Sequence, residues 1–252
     1  MMQVSHNELV TLCTKAYDSL KRQCGEAETI ANMVVDLEMA GLQGMSFFLA
    51  ALESIEQDTD YPVPVFDADD HQIKVDLGGA SLLCHFPALI DVALEQLIHG
   101  QRVQLHIRDC HNRWFGFGEL LKLAGKGLSV RAQWRNDQAP NYVDYVHNAG
   151  FRYPNIYFDN PGQLRTQPLF STKMHQEQLQ KNDLLVDIQL YPFEIFRANS
   201  VPDISAEMQS VAEQRAWKHG IDIEENDWNT LKKYVARSLV ENSERSLQGA
   251  GE

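Results

Sequence analysis

The sequence predicts an α/β fold in which a helical part built from both termini packs against a central mixed sheet with a βαβ core. Three observations predict it. Apolar residues recur at helical spacing near both ends of the chain, short β-rich runs begin at Tyr61, and residues 102–134 run strand, loop, helix, strand. That last order joins parallel strands through a helix. With 252 residues and 44% hydrophobic content the chain can bury a substantial core. It divides into an N-terminal helical part (1–60), a central sheet part (61–200), a C-terminal helical hairpin packing with the N-terminal helices (201–242) and a glycine-rich tail (243–252).

Ser5-His6-Asn7-Glu8 reads as a capping box, and Leu9, Leu12, Cys13, Ala16, Tyr17 and Leu20 extend a helix to about residue 24, before Gly25. Ile30, Met33, Val34, Leu37 and Ala40 form a second stripe that stops at Gly41, and a third helix covers 45–56. PVPVF and QIKVDL, separated by Asp69-Asp70-His71, read as a hairpin. After Gly78-Gly79 a helix runs from Pro87 to Ile98, since proline suits a first helical turn.

RVQLHI is a strand, ELLKLAGKG a helix and LSVRAQW a strand, read together as a parallel βαβ unit. NDQAPNYVDYVHNAGFRYPN is loop-rich, IYF and LLVDIQLYPFEIF are strands, and KMHQEQLQKND between them is polar and poorly patterned. ISAEMQSVAEQRAWKHG is a helix closed by His219-Gly220, and NDWNTLKKYVARSLV is one that Asn226 or Asp227 caps. The tail, with Ser243-Glu244-Arg245-Ser246 before Gly249-Ala250-Gly251, reads as frayed.

The formal charge of −13 repels phosphate backbones and anionic membrane surfaces, which argues against nucleic acid and membrane partners. No apolar run reaches the ~18 residues that span a bilayer. Cys13, Cys24, Cys84 and Cys110 form no CxxC pair, and MMQVSHNELV lacks the layout of a secretion signal, so the expected location is the cytoplasm. The histidines show no HxxxH, HxH or HExxH spacing, and no metal site is expected. Neither GxGxxG nor GxxxxGK[ST] occurs.

The chemistry concentrates in RDCHNRWFGFG, residues 108–118. A loop that leaves a parallel strand and enters a helix favours an anion, through free backbone N–H groups and the helix dipole. Arg108, Arg113, His111 and Asn112 add donors for a carboxylate or phosphate, and Gly116 and Gly118 let a ligand approach the backbone. The competing reading is a satisfied turn with solvated arginines. Cys110-His111 is a poor nucleophile and base pair, because neighbours on an extended segment project to opposite sides.

Three segments together resemble the malate/L-lactate dehydrogenase family whose nicotinamide-binding fold is not Rossmann-like. IANMVVDLEMAGLQG resembles that family's helical pair, VDLGGASLLCHFPALIDVALEQLIHGQRVQLHIRDCHNRWFGFGELLKLAGKGLSVRAQW follows its order of glycine turn, helix, strand, loop, helix and strand, and AEQRAWKHGIDIEENDWNTLKKY resembles its closing hairpin. The chain also resembles an uncharacterised bacterial family known as a domain of unknown function, through SHNELV, CHNRW, RAQW and SERSLQGAG.

The dehydrogenase resemblance implies a homodimer, NAD(P), and a cleft lined by Arg108, Cys110, His111 and Asn112. Two departures stand out. Where the family's Ser-His-Gly supplies an acid/base histidine, this chain reads Gly41-Leu42-Gln43-Gly44-Met45, and a glutamine exchanges no proton near neutral pH. The chain is also shorter, with the missing length between about 136 and 200, where the family carries much of its nicotinamide-binding apparatus.

The expected function is therefore an enzyme acting on a 2-oxo, 2-hydroxy or 2-imino carboxylate. Arg108 or Arg113 pairs the carboxylate, Asn112, Gly116 and Gln43 complete the ligand site, and His111 is the available acid/base. The alternatives are a binding or sensing module with the same cleft and no catalysis, and an interaction subunit of another enzyme.

Overall fold

The computed structural model describes residues 1–22, 25–57, 64–69, 72–136, 140–159, 179–193 and 201–238. The expectations at Cys24, at Tyr61, at Asp70-His71, over most of KMHQEQLQKND, over the last residues of LLVDIQLYPFEIF and in the tail lie outside the described residues.

The Ser5 hydroxyl accepts the Glu8 N–H at 3.2 Å and opens α1 (His6–Asp18), which buries Leu9, Cys13, Ala16 and Tyr17. This helix ends short of residue 24. Ser19 turns its hydroxyl back to the Ala16 carbonyl, Leu20 N–H bonds Tyr17 and Lys21 N–H bonds Asp18, and Lys21 takes a left-handed φ of 53°. Those tight bonds wind the chain out of the helix. α2 (Ala27–Met39) is buried along most of its length, and α3 (Gly44–Gln57) follows after a sharp corner at Gly41.

At the other end, α6 (Ala206–His219) and α7 (Glu225–Ser238) form the expected hairpin. Trp228 N–H bonds the Glu224 carbonyl, so α7 begins ahead of Asn226 and Asp227. Between the two helices lies β9 (Ile221–Ile223), which pairs antiparallel with β1 (Met2–Val4) and ties the two terminal regions together. This small sheet is not anticipated by the sequence patterning, because three residues are too few to show a period. α1 packs against both α2 and α7.

The central sheet has the order β2-β3-β4-β8-β5-β6-β7. β2 (Val65–Ala68) and β3 (Gln72–Asp76) form the expected hairpin, turned by an Asp69 side chain that accepts the Gln72 N–H at 2.8 Å. α4 (Leu82–Leu97) then leads to β4 (Arg102–Arg108), which lies parallel to β3. α4 starts five residues before Pro87, because the Ser81 hydroxyl caps it by accepting the Leu83 N–H at 3.3 Å. Pro87 sits inside the helix, where it forfeits one backbone bond.

α5 (Gly116–Gly125) leads from β4 to β5 (Ser129–Arg135). These two strands do run parallel, but β8 (Leu184–Gln189) lies between them, antiparallel to both. The adjacent parallel pair is thus β3 and β4, one unit earlier than the strand-loop-helix-strand order proposes. β6 (Tyr142–His147) occupies a stretch that reads as loop, and β7 (Asn155–Asp159) closes the sheet. Every residue of β6 is buried, so no solvent-facing alternation marks it as a strand.

One face of the sheet carries Val103, Leu105 and Ile107, Val186 and Ile188, and Val130 and Ala132, all fully buried in a single core with Phe86, Leu120, Met33 and Val34 from the helices. The other face combines polar pairs with a smaller apolar cluster that includes Tyr142, Val146, Tyr157 and Leu185. Arg131 donates twice to Asp144 at 2.9 Å, and Gln104 donates to Asp187 at 3.0 Å. Among the described residues no helix is long and apolar enough to cross a membrane.

Candidate functional site

Because β3 and β4 are parallel neighbours, both end at the same edge of the sheet, and their outgoing turns run side by side. The ladder continues past the strands. Leu77 N–H bonds Arg108, Gly79 N–H bonds Asp109, His111 N–H bonds Ala80 and Leu82 N–H bonds His111. Ser81 and His111 thereby form a parallel bridge. Four residues of this edge hold a positive φ: Gly78 at 55°, Gly79 at 87°, Asp109 at 44° and Asn112 at 60°. Non-glycine residues rarely adopt that region, and such conformations cluster at functional sites.

Arg108 ends β4 directly opposite Asp76 of β3. Their closest approach is 3.8 Å and both side chains are more than a third exposed, so the pair is loose and the guanidinium is open to a competing anion. His111 is exposed, and its ring makes no hydrogen bond with a described residue. Asn112 donates to the Ser81 hydroxyl at 2.9 Å, which fixes the β4 turn to the cap of α4.

The remaining candidates are placed differently. Arg113 donates to the main-chain carbonyls of Cys110 and Arg135 and to Asn136, so its guanidinium pins the β4 turn to the end of β5. At Gly116 a Cβ would stand 3.1 Å from the Phe86 ring, and at Gly118 it would stand 2.2 Å from the Asp36 carboxylate. Their bareness serves the packing of α5 against α4 and α2, and the space expected for a ligand is filled by those side chains. Gln43, exposed at the start of α3, lines a separate cavity with Glu38 and Asp227 that none of residues 108–113 borders.

Cys110 is fully buried, and that burial pushes its thiol up to about 12 even though Arg113 acts to lower it. It is no thiolate near neutral pH, which removes it as a nucleophile.

Several residues of the edge carry no motif. Asp183, just ahead of β8, accepts from His106 at 3.0 Å and from the Asp109 and Gln180 N–H groups at 3.2 and 3.3 Å. Burial would raise its carboxyl, but those hydrogen bonds outweigh burial and hold it below the usual carboxylate range. On the apolar face, the register places Ile107, Leu184, Trp134, Val143 and Phe158 in one row across the sheet. Trp114 packs edge-on against Trp134 at 5.1 Å and Phe158 at 6.3 Å, and stacks on Phe47 of α3 at 6.3 Å. Aromatic residues flanking the loop are their signal in the sequence, but strand order brings Trp134 and Phe158 together and the packing of α3 adds Phe47.

Residues 4–73 match the model of a family described as "Protein of unknown function (DUF3726)". No curated protein matches the chain. Among solved structures, malate dehydrogenase from Entamoeba histolytica superposes with a TM-score of 0.66 at 10% identity, over 95% of this chain and 99% of that one. The chain has the malate/lactate dehydrogenase-like fold. Sulfolactate dehydrogenase from Methanocaldococcus jannaschii shares this fold with a TM-score of 0.62 at 11% identity, over 94% of this chain and 97% of that one. Delta1-piperideine-2-carboxylate reductase from Pseudomonas syringae pvar. tomato shares it with a TM-score of 0.61 at 13% identity, over 93% of this chain and 100% of that one. These neighbours are dehydrogenases and reductases named for carboxylates.

Proposed function

We propose that the chain binds a small 2-oxo, 2-hydroxy or 2-imino carboxylate at the edge where β3 and β4 end, and that its fold descends from NAD(P)-dependent oxidoreductases acting on such acids. The observation that carries this reading is Arg108, a half-exposed guanidinium held only loosely by Asp76 among left-handed turns. A ligand carboxylate would take the bidentate geometry that Asp76 does not. His111, on the same turn with a ring that no described residue engages, is the group able to exchange a proton with a 2-hydroxyl or 2-imino nitrogen.

The described residues of this edge do not fit a dinucleotide. Gly78 N–H is taken by the Asp76 carboxylate and Gly79 N–H by the Asp109 carbonyl, so neither is free for a phosphate. The space at Gly116 and Gly118 is filled by Phe86 and Asp36. The second reading, a binding or sensing module without turnover, is favoured by Gln43 at the position that resembles the family's histidine.

The test is calorimetric titration of the full chain with a panel of 2-oxo, 2-hydroxy and cyclic 2-imino acids, with wild type and Arg108→Ala side by side. Binding that weakens at least about tenfold in the variant, the worth of one charge-assisted contact, is the expected result. Equal binding by both proteins, or none by wild type, would sink the proposal. Chemical conversion of a bound acid by wild type, followed by NMR of the ligand, separates the enzyme from the binding module.

A further inference from the structure

Apart from the sheet edge, the molecule holds a half-open cavity of about 490 Å³ lined by Met1, the α2–α3 corner, α6, β9 and the start of α7. That volume falls within the roughly 300–1,000 Å³ of small-molecule sites. Its walls are partly apolar, with Leu42, Met45, Ala212, Ile221 and Ile223 among the lining residues. Its charged groups are Glu38, Asp222, Glu224 and Asp227 against two cations among the described residues, Arg215, which is already paired with Asp222, and the N-terminal ammonium of Met1 at the rim, so the acids still outnumber the cations.

Glu38 is the unusual member. One oxygen accepts the Met45 N–H at 2.7 Å, and among the described residues no cationic side chain pairs with the carboxylate. The nearby charge that bears on it is Asp227, of like sign. A carboxylate so placed gains from a cation delivered by solution. Among the described residues no three His, Cys, Asp or Glu side chains converge as a metal-binding group, so the acids are too dispersed for a bare ion. The apolar walls add area that only an organic cation would use.

We infer that this cavity is a second binding site, which takes a small alkylammonium ligand with its nitrogen on Glu38 and its carbon chain against Leu42, Met45 and the β9 isoleucines. The site is independent of the carboxylate-binding edge, since none of residues 108–113 borders it.

The ligand must find Glu38 ionised, and burial pushes that carboxyl up to about 7. The other titratable or charged groups around it are Asp227 and Glu224 near the start of α7, Asp222 of β9, Arg215 of α6, Cys13 of α1 and the α-amino group of Met1. Affinity for an amine that stays charged throughout is expected to fall as pH drops below about 7.

The experiment titrates n-butylamine into the full chain at pH 8 and pH 6, with n-butanol and sodium chloride at matched ionic strength as controls. Expected are saturable binding of butylamine alone, weaker binding at pH 6, and at least a tenfold loss in Glu38→Gln, which keeps an acceptor oxygen for the Met45 N–H. If that variant does not fold, Asp227→Asn is the substitute, with weakened binding expected from the lost surrounding charge. Failure of wild type to bind butylamine, equal binding of butanol, or unchanged affinity in the folded variant would each overturn the inference.

Discussion

Glu38 shows what a single residue can hide. In the sequence it is one more acid on an amphipathic helix, and nothing in its spacing separates it from Glu28 or Asp36. In the fold, burial raises its carboxyl to about 7, opposed by the Met45 N–H and reinforced by Asp227. The folded residue thus holds a proton at pH values where the unfolded one has lost it. Its ionisation costs nothing below the ordinary glutamate range, costs progressively more as pH rises toward about 7, and costs most above that. Glu38→Gln is expected to raise stability at pH 8 by on the order of 1–2 kcal/mol and to leave it nearly unchanged at pH 4, measured by urea unfolding. A glycine nearby is equally opaque in one dimension. A Cβ on Gly44 would stand 2.4 Å from the Val34 carbonyl, so the tight α2–α3 corner requires it, although its neighbours in sequence give no hint of Val34.

At the scale of elements, the opening stretch of α4 and the turn after β4 depend on partners distant in sequence. Ser81 caps α4 and also receives Asn112, so one hydroxyl serves both a helix start and the neighbouring turn. That dual use explains why the helix begins ahead of Pro87. Asp183 performs the same office from the other side, joining the approach to β8 to the β4 turn through His106 and Asp109. Its carboxyl is held below the ordinary range, so its ionised contacts add stability at neutral pH that is lost as pH falls through that lowered value. Asp183→Ala leaves the Asp109 and Gln180 N–H groups without their acceptor and is expected to cost about 1–3 kcal/mol at pH 7. The deficit relative to wild type should shrink in acid, which thermal melts between pH 7 and pH 3 would register.

Over the whole molecule, one buried cluster runs from Leu9 and Cys13 of α1 through Met33 and Phe48 to Ile107, Val130 and Val186 of the sheet, and on to Trp228 and Leu231 of α7. The helical part and the sheet therefore share a core. Unfolding is expected to be a single cooperative step, with far-ultraviolet circular dichroism and tryptophan fluorescence giving the same midpoint in urea. Trp114 and Trp134 report the sheet edge and Trp228 reports α7, so separated midpoints would show that the two layers melt independently.

What the sequence determined by itself was local and periodic. Helical spacing placed α1, α2, α3, α6 and α7, two short extended runs around a turn-like cluster placed the β2–β3 hairpin, and the glycine-flanked stretch after RVQLHI marked the turn that carries Arg108 and His111. These follow from side-chain patterns that each segment carries alone. Only the tertiary structure decided that β8 slips between β4 and β5, that Phe86 and Asp36 fill the room beside Gly116 and Gly118, and that Arg113 is spent on main-chain carbonyls while Arg108 stands open. Strand order and interhelical distance are set by pairings between residues far apart along the chain. No window of neighbouring residues encodes them, and the availability of a charged group depends on those pairings.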